Sequence, residues 1–452
     1  MKFGHRIQGK VEAYDDKGRG IFDLDGEKKE GYQLGKGRVA VPFSAVGDEL
    51  DATFLKRDSG VKIAKIETIK TPGPDRIKPP CPHAGVCGGC LWQHLDYDAQ
   101  LRLKKEMINR AFEKAGHEER VTDVMPSDDR FYYRNRMDYV VGWLGQLGLK
   151  EYGSWNRYLD LTACLLLNED VPKILDIVRA LIKEFDLEPW DAVSHQGLMR
   201  YVVIRDGKNT KERMVMLVVS DTKRIDDNVR AVILDRLGPF ATSLLIGEQP
   251  AITDVSYVKS SVALKGESFF HEEVNGVRYT IAPNSFFQTN THMAAKLQNI
   301  VLDHITDSKT LLDLYCGLGF FGIAAAKKYP SLSVHGFELD AEAISLASQN
   351  AETNGVADRC TFGSGPAEDL SWKELDVDTI ILDPPRSGLH PRVVKTVLEK
   401  APKTIVYVSC NFHRLVDELK EFKSKYRVES IAALDLFPQT PHVEVVTKLT
   451  LL

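Results

Sequence analysis

Thr379-Ile-Ile-Leu-Asp383-Pro384-Pro385-Arg386-Ser387-Gly388 and Thr404-Ile-Val-Tyr-Val-Ser409-Cys410-Asn411 are two short apolar runs, the first ending in an acid and two prolines, the second in a thiol. Neither alternates, and both are rich in Ile and Val, as strands buried on both faces of a parallel sheet are. The segment between them, Pro391 to Lys400, reads as a helix. Parallel strands joined by one helix lie side by side with their carboxyl ends together. Asp383, Arg386 and Cys410 are therefore expected on one rim, where open α/β sheets take their ligands.

The alternation continues on both sides of this stretch. Thr310 to Leu314, Ser333 to Glu338 and Arg359 to Gly363 predict strands, while Phe320 to Lys328, Ala341 to Asn354 and Asn411 to Lys425 predict helices. Arg427 to Leu434 and Val443 to Leu449 close the chain as a strand pair forming an antiparallel edge. Such regularity predicts a doubly wound, Rossmann-like α/β domain, here over 281–452.

At 452 residues, 43% hydrophobic and 27% charged, the chain has room for several folded domains and is not broadly disordered. No apolar run approaches the roughly 18 residues of a membrane span, and the start, Met1-Lys-Phe-Gly-His-Arg-Ile-Gln, lacks the apolar core of a signal peptide. An odd count of seven cysteines in a long chain argues for reduced thiols and a cytoplasmic location. The net charge of −5 excludes a uniformly basic nucleic-acid binder, yet Phe54 to Lys78 holds seven Lys or Arg against three acids.

Residues 1–70 contain short alternating runs broken by Gly and Asp, such as Arg19-Gly-Ile-Phe-Asp-Leu-Asp-Gly26 and Val61-Lys-Ile-Ala-Lys-Ile, which predict a small, OB-like β-barrel. Thr71 to Pro80 carries four prolines and reads as a stiff linker. It opens a central α+β region, 71–280, with a helix over 99–117 expected to pack on the following domain. Within this region Tyr132-Tyr133-Arg134-Asn135-Arg136 interleaves aromatic rings with cations, a pattern that can stack bases and contact phosphates or simply mark a strand end.

Cys81-Pro-His-Ala-Gly-Val-Cys87-Gly-Gly-Cys90 puts three cysteines in ten residues, with glycines that let one loop wrap a metal centre. Cys164 is the nearest thiol for a fourth position, and His83 or His94 would complete a Cys3His site instead. Spacing alone leaves zinc and iron–sulfur open.

Asp313-Leu-Tyr315-Cys-Gly317-Leu-Gly319-Phe-Phe-Gly322 places a G-x-G-x-x-G spacing at a strand-to-helix turn. A dinucleotide pyrophosphate wants bare amides there. The acid at Asp313 suits instead a cation such as the ammonium and sulfonium of S-adenosylmethionine, with Glu338 at the end of the next strand placed to hold ribose hydroxyls. In amine methyltransferases an aromatic follows the Asp-Pro-Pro turn, but here Arg386 does, and the thiol lies one strand later. C5 of uracil is too weak a nucleophile to attack a methyl sulfonium. A thiolate added at C6 makes an enolate whose C5 can attack. Cys410 just before a helix is expected to be a stabilised thiolate, with Arg386 orienting uracil or stabilising its carbonyl charge. Glu444, or else His442, is the candidate acceptor for the C5 proton.

These residues together resemble the RNA uracil-5-methyltransferase family, in particular its iron–sulfur branch with an N-terminal TRAM domain that methylates ribosomal RNA. The likeness rests on the four cysteines, Asn284-Ser-Phe-Phe-Gln288-Thr-Asn290, the Asp313 and Asp383 motifs, Ser409-Cys-Asn411 and His442-Val-Glu444. The resemblance implies a 4Fe-4S cluster on Cys81, Cys87, Cys90 and Cys164. It also implies Cys410 as nucleophile, Glu444 as proton acceptor, and S-adenosylmethionine contacts from Gln288, Tyr315, Glu338 and Asp383, with Gly317 and Gly319 in the turn. It implies an RNA partner, 23S rRNA first and the tRNA T-loop as the alternative, a monomer and no membrane. The chain departs from the pattern at Phe320, where Asn is usual, and at Pro366, where Glu368 is the nearest substitute for an adenine contact.

Overall fold

The computed structural model describes residues 3–24, 28–29, 32–33, 37–58, 60–369 and 371–452. Asp25 and Gly26, which end one of the quoted runs, lie outside these residues. Among the described residues, strands Arg6–Lys10, Ala13–Tyr14, Gly20–Leu24, Gly37–Val41, Glu49–Asp58 and Val61–Thr71 make one six-stranded sheet. It curls on itself: a Cβ on Gly9 of the first strand would sit 2.2 Å from the Phe22 ring on the third, so only glycine permits the approach. Alternation puts Ile7, Phe22, Val39, Leu50 and Ala52 inside.

A second six-stranded sheet orders Leu147–Gly148, Arg136–Val141, Met199–Asp206, Arg213–Val219, Ser243–Glu248 and Ser260–Lys265. One face is covered by helices Val171–Glu184 and Asp227–Leu237. The other shares a core with helices Thr291–Asp303 and Phe320–Lys328 of the C-terminal part. Burial on both faces explains why Met199–Asp206 is buried at every position. Strand Val277–Ile281 crosses the expected 280/281 division.

The third sheet has the order Cys360–Ser364, Ser333–Glu338, Thr310–Leu314, Thr379–Leu382, Thr404–Ser409, Glu444–Leu451, Tyr426–Leu434 and Val124–Met125. The first five strands are parallel. The closing pair is antiparallel as expected, with Glu444–Leu451 lying inside the sheet, antiparallel to both of its neighbours. Its apolar residues need cover on both faces, and Val124–Met125, from the central region, flanks Tyr426–Leu434 instead. Helix Tyr97–Lys114, capped by Asp96, packs Met107, Ile108 and Phe112 into the core that holds Leu415, Val416 and Leu419 of helix Phe412–Phe422. Among the described residues no helix is long and apolar enough to cross a membrane.

Candidate active site

Strand register alone assembles the rim. Ser409 pairs with Val445 in the antiparallel ladder, so the next rung sets Cys410 against Glu444. Leu382 pairs with both Leu314 and Tyr407, which brings Asp383 to the same end as the Asp313 turn. Two contacts missed in the sequence hold the loop between. Asn411 donates through Nδ2 to the Arg386 carbonyl at 2.8 Å, and Glu418 accepts from the Leu389 amide at 2.9 Å. Asn411 carried a signal, its place directly after Cys410. Glu418 carried none, since it looks like an ordinary polar residue on a helix.

The carboxylates crowd together. Asp313 is fully buried, and its Oδ2 accepts from the Gly322 amide at 2.9 Å. A Cβ on Gly322 would lie 3.2 Å from that oxygen, which is why glycine stands there. Burial, with the Asp383 and Glu338 charges, pushes the Asp313 carboxyl up to about 8. Burial and then Glu338 lift Asp383 to about 7. Glu338 spends its carboxylate on backbone, accepting from the amides of Leu339 at 2.7 Å, Asp340 at 3.1 Å and Gly317 at 3.3 Å. Tyr315, with φ +65°, and Gly319, with φ +79°, turn the chain away from the strand between them. Asp313 Oδ1 has no hydrogen-bond partner among the described residues. An orphaned buried oxygen among repelling acids fits a cationic ligand, as S-adenosylmethionine is.

Cys410 is half-buried, and the thiolate expectation is corrected: burial and the neighbouring Glu444 push the thiol up to about 11. The helix begins at Phe412, beyond the Asn411 cap. Glu444, 2% exposed, is driven well above the ordinary carboxylate range by burial and Asp383. Arg386, exposed at the mouth, pulls both groups back down. His442 keeps an exposed edge, while burial of its ring and then the Arg386 charge lower its imidazole to about 4.

Gln288 is buried, and its carbonyl accepts from Asn135 Nδ2 at 2.8 Å. Phe320 does not face a ligand. It packs against Phe287, Tyr279 and Phe321 while its carbonyl accepts from Tyr279 and Gln298. Glu368 lies near Tyr315, where burial and then its charge raise the tyrosine hydroxyl to about 12. The Tyr132–Arg136 stretch is not an exposed stacking surface: Tyr133 is 2% exposed, Asn135 is buried, and Arg136 pairs with Asp138 at 2.9 Å.

Cys81, Cys87, Cys90 and Cys164 line one cavity together with His83 and Gln93. Burial lifts Cys87 to about 11 and Cys90 to about 12, and the other thiols of the cavity add to both. His94 points away, with Nε2 3.0 Å from the Ser44 carbonyl, so it is not a fourth ligand. Among the described residues no three His, Cys, Asp or Glu side chains are arranged around a single ion. By donor type alone, the four cysteines that line this cavity fit a thiolate-bound centre.

The profile of the tRNA (Uracil-5-)-methyltransferase family matches residues 249–363 and 364–450. The tRNA (uracil(54)-C(5))-methyltransferase of Pyrococcus horikoshii is 35% identical over 98% of this chain and 100% of its own length. The 23S rRNA (uracil(747)-C(5))-methyltransferase of the same organism is 32% identical over 98% and 99%. The crystal structure of the Pyrococcus abyssi tRNA (uracil-54, C5)-methyltransferase, in complex with S-adenosyl-L-homocysteine, superposes with a TM-score of 0.80 at 32% identity, covering 98% of this chain and 100% of that one. With the acid-lined turn, the thiol and the buried carboxyl already in place, the chain belongs to the RNA uracil-5-methyltransferase family and is an enzyme that methylates C5 of uridine in RNA with S-adenosylmethionine.

Proposed function

We propose that the substrate is the T-loop uridine of tRNA, and that methylation proceeds through a covalent bond between Cys410 and C6 of the base. The observation that carries the mechanism is the rung that sets Cys410 against Glu444, with Arg386 acting on both. The Cys410 thiol gives its proton to solvent and its sulfur adds to C6, and the displaced pair runs through C5 and C4 onto O4, where the Arg386 guanidinium stabilises it. S-adenosylmethionine supplies the methyl group that C5 takes. Glu444, once ionised, removes the C5 proton. The C–H electrons re-form the C5–C6 double bond and expel the sulfur. Gln288, Tyr315, Glu338, Asp313 and Asp383 are the residues proposed to hold the cofactor.

The sequence expectation put 23S rRNA first. The tRNA reading is preferred because, of two relatives from one organism, the one named for tRNA is the more similar. The test is to offer labelled S-adenosylmethionine with tRNA and with 23S rRNA transcripts, then map the product. Label in tRNA alone supports the reading, and label in rRNA alone overturns it. A tRNA bearing 5-fluorouridine, which cannot lose its C5 substituent as a proton, should trap the Cys410 adduct.

The cavity of four cysteines is proposed to hold a 4Fe-4S cluster, the curled N-terminal sheet to be a TRAM domain that grips RNA, and the enzyme to act as a cytoplasmic monomer. Protein purified without oxygen should be brown, with iron and sulfide in equal amounts. Colourless protein with one zinc would overturn the cluster.

A further inference from the structure

Glu444 starts its strand directly after the loop 435–443, which bonds within itself from the Thr440 hydroxyl to the Phe437 carbonyl at 2.8 Å and from the Phe437 amide to Asp435 Oδ1 at 3.1 Å, and is also tied from outside. Four consecutive carbonyls in it accept from elsewhere. The Leu436 carbonyl takes Asn290 Nδ2 at 3.2 Å and that of Phe437 takes Lys104 Nζ at 3.1 Å. The Pro438 carbonyl takes the Tyr133 hydroxyl at 3.0 Å, and that of Gln439 takes the Trp92 amide at 2.9 Å. The Gln439 backbone sits at φ +69°, where side-chain-bearing residues rarely rest. Gln100 grips it from both sides: its Oε1 accepts from the Gln439 amide at 2.9 Å, and its Nε2 donates to Gln439 Oε1 at 3.0 Å. The same Nε2 is shared with the carbonyls of Trp92 and Leu95, at 3.2 and 3.1 Å. Three of the four donors come from residues 92–133, and Trp92 follows Cys90 by two positions.

We propose that the segment from Trp92 to Tyr133, with Gln100 at its centre, is a positioning device that places Glu444 for removal of the C5 proton. The inference rests on the reading of Glu444 as proton acceptor. It explains why the cysteine loop is joined to a catalytic sheet it does not belong to: whatever fixes the thiols fixes the Trp92 amide, and through it Gln439. A misplaced base slows the second half of the reaction and leaves the first intact, so the methylated covalent intermediate outlives its normal span.

The experiment compares wild type with Gln100→Met and with Tyr133→Phe, which loses only a hydroxyl, on unmodified tRNA and labelled S-adenosylmethionine. The expected result is a fall in kcat of about 10²-fold for Gln100→Met. KM for tRNA and cofactor should stay within about twofold, and a labelled protein–RNA adduct should appear on denaturing gels. Amide exchange should quicken across 435–442 and nowhere else. If Gln100→Met does not fold, Tyr133→Phe decides by the same signs. Loss of activity without adduct, or activity and exchange unchanged, overturns the proposal. Wild type that forms no adduct with 5-fluorouridine tRNA removes the underlying reading instead.

Discussion

The cysteine cavity and the catalytic rim both gather buried acidic groups, and burial raises Cys87 and Cys90 in the one as it does Asp313, Asp383 and Glu444 in the other, yet they were built in opposite ways. Cys81, Cys87 and Cys90 come from one glycine-rich loop, joined by Cys164. Asp313, Glu338, Asp383 and Glu444 come from four strand ends spread over more than a hundred residues. The cavity presents soft sulfur and suits a metal centre. The rim presents hard oxygen and suits an organic cation, with Arg386 as a cation already at its mouth. The difference teaches that the demand for a counter-charge is common, while donor type and geometry select what answers it.

The sharpest way to break the comparison is at the group that belongs to neither role, the proposed nucleophile Cys410. Cys410→Ala should lower methylation by more than about 10³-fold and abolish the 5-fluorouridine adduct, read by methyl transfer and gel shift. Glu444→Gln should cost about 10²- to 10⁴-fold, with methylated adduct accumulating on ordinary tRNA. Arg386→Ala should slow adduct formation about 10²-fold. Because Arg386 lowers the Cys410 thiol, its loss should also move the pH profile of adduct formation to higher pH.

On the thiol side, Cys90→Ala should empty the cavity of metal and lower Tm by more than about 4 °C, read by elemental analysis and thermal unfolding. The smallest effect is titration of the rim. Asp313 and Asp383, raised to about 8 and about 7, bind protons that a cationic cofactor must displace. S-adenosylmethionine affinity should therefore rise between pH 6 and 8, by up to about tenfold per pH unit for each proton released. Ligand-free stability should run the other way, present below pH 4 and lost as pH climbs through these values. Asp313→Asn should flatten both trends, measured by calorimetry in buffers of different ionisation heat.

Much of this was legible in the chain. Thr310–Leu314, Phe320–Lys328, Ser333–Glu338 and Pro391–Lys400 begin and end where the apolar pattern put them, because local periodicity decides buried strands and their covering helices. The crowding of three cysteines into ten residues was equally plain. What could not be read depends on partners far away in sequence. Tyr132–Arg136 looks like an RNA-facing stretch until Tyr133 is seen bonded to a carbonyl 305 residues on. The raised thiol of Cys410 comes from its burial and then from Glu444, brought beside it from 34 positions on, and the inward course of the last strand needs its two neighbours.

That last strand has a consequence for how the enzyme can change. The register of its ladder brings Cys410 opposite Glu444, the proposed nucleophile and acceptor, and a shift of one residue would turn every side chain of the strand to the opposite face. Evolution is thus freer to vary the turn 423–425, between helix Phe412–Phe422 and strand Tyr426–Leu434, than the anchored loop 435–443 that leads into Glu444. A single deletion within 445–451 has no such latitude.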